Sequence, residues 1–102
     1  MALGHEKLAV DATVRTLQSV PASANFAQVV VETASIRYRI DGTDPATATG
    51  VLLAAGDNFC IYGNDVLNII KFVEATSTDA VINVSYGTAN TGIHGVIITG
   101  KA

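Results

Sequence analysis

The groups from which a reactive site could be built in this 102-residue chain are two histidines, nine carboxylates, six basic side chains and one cysteine. A hydrolase or transferase needs a nucleophile, a base and an oxyanion donor within mutual reach, and histidine is the usual base. His5 falls in the N-terminal segment, and His94 sits in Gly92-Ile93-His94-Gly95 with no acidic neighbour in sequence to orient its ring. The chain has no G-x-S-x-G elbow, phosphate-binding glycine loop or paired-cysteine motif. It is therefore not expected to be an enzyme, and no cofactor is expected. Cys60, the single cysteine, lies between Phe59 and Ile61 and reads as a small buried hydrophobe.

Asp41, Asp44 and Asp57 form the best polar cluster. Turns at one end of a β-sandwich can gather carboxylates for calcium, which takes six to eight oxygens. The same residues are ordinary in Asx and hairpin turns, so both readings stay open and no metal ligand is assigned. Arg37 and Arg39 lie on the polar side of a strand, where Glu32 or Glu74 can pair with them across the sheet. Alternatively they grip a carboxylate on a partner. Tyr38 and Tyr86 share a face with apolar residues and are expected in the core, whereas Tyr62, before Gly63-Asn64, sits at a strand end. The candidate interface residues are thus Arg37, Arg39, Tyr62 and His94. A sugar-binding sandwich generally presents Trp or Tyr platforms, and this chain has no Trp.

The elements that must position these residues are strands. Apolar and polar residues alternate with period two, and Gly, Asp, Asn and Pro interrupt them every few residues. Strands are expected at residues 8–17, 26–32, 35–41, 51–55, 58–62, 69–75, 80–86 and 94–99. The strand at 35–41 is the clearest, and 51–55 with 58–62 should form a hairpin around Gly56-Asp57. Residues 66–72 can begin as helix. The fold class expected is all-β: one antiparallel β-sandwich or jelly-roll-like domain over residues 1–102, with possible extended arms at 1–10 and 88–102.

Charged residues make up 15% of the chain, against about 25% in an average globular protein. Thr, Ser, Asn, Gly and Ala must cover the surface instead, which suits close protein–protein packing. The formal charge of −3 and the lack of a basic patch disfavour nucleic acid. No stretch reaches the length of about 20 apolar residues that spans a bilayer, and the N-terminus does not read as a signal peptide. Synthesis in the cytoplasm is expected, with no membrane partner.

With the strands placed, one segment carries a resemblance: Ile36-Arg37-Tyr38-Arg39-Ile40-Asp41-Gly42-Thr43-Asp44-Pro45, then Gly50, Ala55-Gly56-Asp57, Gly63 and Val81-Ile82-Asn83-Val84-Ser85-Tyr86. It resembles a group of small tailed-phage proteins that share an I-R-Y-R-x-D-G-T-x-P strand and turn and are associated with virion structural genes. The likeness spans roughly residues 28–87 and has no motif diagnostic of chemistry. It implies a virion structural role, foremost a capsid decoration or cement protein that stabilises the head lattice. The implied partners are the major capsid protein or another virion protein, and copies of the chain itself, with a trimer favoured. The alternative is a carbohydrate-binding module for surface attachment.

Overall fold

Alternation is strongest at Ala80–Gly87, where Ala80, Ile82, Val84 and Tyr86 are buried while Val81, Asn83 and Ser85 are half-buried on the opposite face. Phe26–Glu32 repeats the pattern with Ala27, Val29 and Val31 buried. Each strand has one side that must leave water, and two sheets packed face to face satisfy both. The computed structural model describes residues 2–101. Its strands are β1 (Ala2–Val10), β2 (Arg15–Thr16), β3 (Phe26–Glu32), β4 (Ile36–Arg39), β5 (Val51–Leu53), β6 (Asn58–Tyr62), β7 (Lys71–Glu74), β8 (Ala80–Gly87) and β9 (Gly95–Gly100), with one short helix, α1 (Asn64–Ile69).

One sheet has the order β1-β8-β3-β6-β9 and the other β2-β7-β4-β5, with every pairing antiparallel. Four pairs, β1 with β8, β2 with β7, β3 with β6 and β4 with β5, are those of a long hairpin rolled into two layers, the jelly roll. The protein is an all-β antiparallel sandwich. β9 adds a fifth strand beside β6 in the larger sheet. Between the layers Tyr38 of β4 stacks on Phe59 of β6, with ring centroids 5.8 Å apart and planes 8° from parallel. Each such side chain stabilises by about 1.5–3 kcal/mol through its removal from water. Val66 and Leu67 of α1 are buried against the same core.

Three expectations are corrected. Residues 8–17 are not one strand, because the Asp11 carboxylate accepts from the Thr13 N–H and from Arg15 Nη2, the latter at 2.7 Å. That turn sends β1 into one sheet and β2 into the other. Residues 51–55 and 58–62 do not form a hairpin either: β5 pairs with β4, and β6 pairs with β3 and β9. Gly56-Asp57 is a corner between layers. Nor are the ends free arms. Residues 4–10 are in register with β8, and the tail after Gly87 returns as β9. Met1 and Ala102 lie outside the described residues.

Two interactions hold these crossings. Asp57 is 1% exposed, and its carboxylate accepts from the Ala54 N–H at 2.8 Å and meets Lys101 Nζ at 3.1 Å. Its carbonyl accepts from Val31 N–H, and Gly56 N–H donates to Val31 C=O, so the corner is tied to the end of β3. Glu6 faces inward from β1, and its carboxylate accepts from the Gln18 and Ser19 N–H groups and from the Tyr86 hydroxyl. Burial, then that hydrogen bond, pushes the Tyr86 phenol well above its ordinary value.

Asp57→Ala takes the acceptor from the Ala54 N–H and the counter-charge from Lys101, and leaves the space of a buried side chain empty at the corner; it should destabilise the fold by about 1–3 kcal/mol in urea unfolding. Lys101→Ala should cost less than Asp57→Ala, because the Lys101 side chain is 61% exposed and the Ala54 N–H still serves the buried carboxylate. Thr33, between β3 and β4, has φ 79°, which is strained for a β-branched residue. Relief of that strain should make Thr33→Gly neutral or stabilising by up to about 1 kcal/mol in the same assay.

Candidate functional site

Two places on the sandwich concentrate chemistry or exposed apolar surface. The first is at one end, where Gly63 leads from β6 into α1. Its φ of 99° favours glycine, and a Cβ there would stand 2.6 Å from both Asp65 Oδ1 and His94 Nδ1. The missing side chain lets those two groups meet at 2.8 Å. The His94 hydrogen bond, foremost, holds the Asp65 carboxyl below the usual carboxylate range. The acidic partner that the local sequence lacks is thus supplied from 29 residues away. Asn25 fixes the loop before β9 by donating to the Ala89 carbonyl at 2.8 Å and accepting from the Ala89 N–H at 2.7 Å. The result is a hollow of about 260 Å³ lined by Asn25, Gly63, Asn64, Thr91, Ile93 and His94, among others.

An Asp–His pair can hold a proton, but nucleophilic catalysis also needs an activated hydroxyl or thiol. The Thr91 hydroxyl at the hollow accepts from the Ile93 N–H at 3.2 Å, closing a local turn. Both members of the pair are well exposed, with side chains 63% and 67% accessible, so water screens their interaction. The arrangement clamps the loop onto α1.

The second place is the open side of the sandwich, where β9 faces β4 and β5 across a groove of about 450 Å³. Tyr38, Ile40, Val51 and Val96 give it apolar walls, and Arg39 with Asp41 closes one rim. Asp41 accepts from the Arg39 guanidinium through both oxygens and from Thr43 N–H and Oγ1. These bonds, led by that from Arg39, hold its carboxyl far below the usual range. Gly50 forms the opposite rim with φ 133°, and a Cβ there would lie 3.0 Å from the Tyr38 carbonyl.

The candidate interface residues do not converge. Arg37 donates to the Thr47 carbonyl at 2.8 Å and the Gly50 carbonyl at 2.9 Å, holding the loop beside the groove. It does not pair with Glu32, which accepts from Asn83, or with Glu74, which is buried on the inner face of β7. Arg39 reaches the groove rim. Tyr62 lies on the outer face of the larger sheet against Phe26, with centroids 5.3 Å apart. His94 belongs to the end hollow. His5 is on β1, 3.2 Å from Asn83 Oδ1, and Cys60 is a buried free thiol.

The three aspartates also separate. Asp41 pairs with Arg39, Asp44 with Lys71 at 3.0 Å, and Asp57 with the corner and Lys101. Among the described residues no three His, Cys, Asp or Glu side chains gather as a metal site. Among the same residues no helix is long and apolar enough to cross a membrane.

Sequence reasoning missed Asp65 and the exposed apolar edge. Val51, Leu52, Ile97 and Ile98 are 46%, 48%, 42% and 40% exposed. A signal was present: Val51-Leu52-Leu53 and Val96-Ile97-Ile98 are unbroken apolar runs among strands that alternate. A strand apolar on both faces needs cover on both.

His94→Gln should move the Asp65 titration up toward the ordinary carboxyl value of 3.8, read by NMR of the side-chain carboxyl. Because the folded-state value of Asp65 is lowered, the stability contributed by that shift is present above the ordinary value and is lost as pH falls through the lowered one. Compared with known proteins, the chain matches no family model, no curated protein and no solved structure.

Proposed function

We propose that this chain is a phage virion structural protein, a capsid decoration or cement protein that binds and stabilises the head lattice by contact and not by catalysis. The observation that carries the proposal is the gathering of exposed apolar side chains on one edge, at β5 and β9, of an otherwise small-residue surface. Large apolar groups left in water at one edge mark an interaction surface. The likeness of residues 28–87 to small phage virion-associated proteins gives the surface its context. The jelly roll also serves capsid and lectin domains, so the architecture alone does not choose between them. A rigid module with short loops can repeat on a symmetric lattice, where many weak contacts add by avidity.

The carbohydrate-binding alternative has less support. Its best aromatic, Tyr62, is half-buried and packs on Phe26, which leaves less of the ring to offer a sugar. Arg39 and the groove beside it offer the virion reading a polar rim around an apolar floor, the usual anatomy of a protein contact.

Quantitative mass spectrometry of purified particles from the source virus should find the chain at a fixed, high ratio to the major capsid protein. Absence from particles would refute the proposal. Leu52→Glu, at an exposed position on the outer face of β5, should keep the native circular dichroism and lower occupancy on the particles by roughly ten-fold or more.

A further inference from the structure

The apolar edge has a strand chemistry that identifies one occupant. Among the described residues the exposed large hydrophobics are Val51, Leu52, Ile69, Ile93, Ile97 and Ile98, and all but Ile69 lie on β5, on β9 or just before β9. The four free strand edges of the sandwich are not alike. β1 carries Glu6 and Lys7 and a register shift between Ala2 and Gly4. β2 is two residues long and includes Arg15, and β5 is three residues long. Charge, irregularity and shortness are the devices that keep an edge from pairing. β9 has six residues, no charge, and β-branched side chains at Val96, Ile97, Ile98 and Thr99. Its one irregularity, opposite Asn58 and Phe59, falls at Thr99 and leaves 95–98 regular.

We propose that β9 pairs antiparallel with β9 of a second copy of this chain, on a two-fold axis at Ile97. The inference rests on reading this edge as an assembly surface and adds which chain fills it. A strand already bonded on one side presents its N–H and C=O outward on alternate residues only. Two identical strands can then join only residues of like parity, and like parity means like face. Ile97 meets Ile97 of the second copy on the outer face. On the inner face Val96 meets Ile98 of the second copy. Val96 and Ile98 stand opposite the buried Ile61 and Phe59 of β6, so they point between the layers, yet the smaller sheet ends at β5 and leaves Ile98 40% exposed. Pairing gives each a cross-strand apolar neighbour and joins two five-stranded sheets into one of ten strands.

Charge permits the seam. No Asp, Glu, Lys or Arg occurs between Asp79 and Lys101, and Lys101 is turned toward Asp57. A specific dimer removes roughly 800 Å² per partner, about a sixth of the 5000 Å² that one copy exposes. One strand pairing falls short of that, and β5 with the groove of about 450 Å³ lies on the same side to supply the remainder. The contact is isologous and closes with two copies, in place of the trimer expected from sequence.

Sedimentation of the full chain over a hundred-fold concentration range should show a species of twice 10.5 kDa. Ile97→Lys should sediment as a monomer with unchanged circular dichroism. In the double variant Cys60→Ser, Ile97→Cys, mild oxidation should link two copies, since residues opposite each other across an antiparallel pair lie within disulfide reach. Cys60 is removed because it faces Ile97 within one chain. A monomer at every concentration, a dimer that survives Ile97→Lys, or a double variant that does not cross-link would overturn the pairing. Should Ile97→Lys fail to fold, the cross-link decides. A monomer that still occupies particles would sink this inference alone, and a cross-linked dimer missing from particles would sink only the virion reading.

Discussion

Asp57 is a buried carboxylate at the point where the chain leaves one layer of the sandwich for the other, and the rolled topology depends on that turn being made without stranding polar groups. A strand that ends in one sheet and restarts in the other gives up ladder partners at the crossing, and buried backbone groups must be matched. Here the Asp57 carboxylate takes the Ala54 N–H, its carbonyl takes the Val31 N–H, and Lys101 sits over the same oxygen that serves Ala54. One residue therefore links the ends of three strands, β5 and β9 through its side chain and β3 through its backbone carbonyl. The Asp11 turn does the corresponding work between β1 and β2 at the surface, with Arg15 and Thr13 as donors.

With the four pairs of the rolled hairpin formed, β9 adds to the larger sheet beside β6. The larger sheet then projects past the smaller one. Val96 and Ile98 face the gap between layers, Val96 partly packed against the core and Ile98 40% exposed, and Val51 looks into the same gap from β5. The groove is thus a consequence of unequal layers, and its apolar floor is continuous with the core stack of Tyr38 on Phe59. Arg37 and Arg39 serve this opening indirectly, one by holding the 46–50 loop and the other through its pair with Asp41.

Much of the secondary structure was legible because burial of one face writes itself into sequence as period two. β3, β4, β6 and β8 lie close to where alternation and turn residues place them, and Tyr38 and Tyr86 are in the core as their faces predict. The partners were not legible. Gly56-Asp57 satisfies the local chemistry of a hairpin turn and of a corner equally well, and only the pairing of β5 with β4 separates them. Likewise His94 has no acidic neighbour along the chain, and the tail must return beside β6 before Asp65 can reach it.

The amino-acid sequence by itself determined an all-β chain with a weakly charged surface, inward-facing residues on most strands and a cysteine suited to a buried position. Those properties follow from side-chain transfer energies and local backbone preferences, which act within a few residues. The tertiary structure alone decided which strands share a sheet, that three aspartates serve three separate pairings, and that apolar exposure collects on one edge. Each of those depends on contacts between residues far apart in sequence, where the gain from burial and hydrogen bonding has to exceed the entropy of closing the intervening chain.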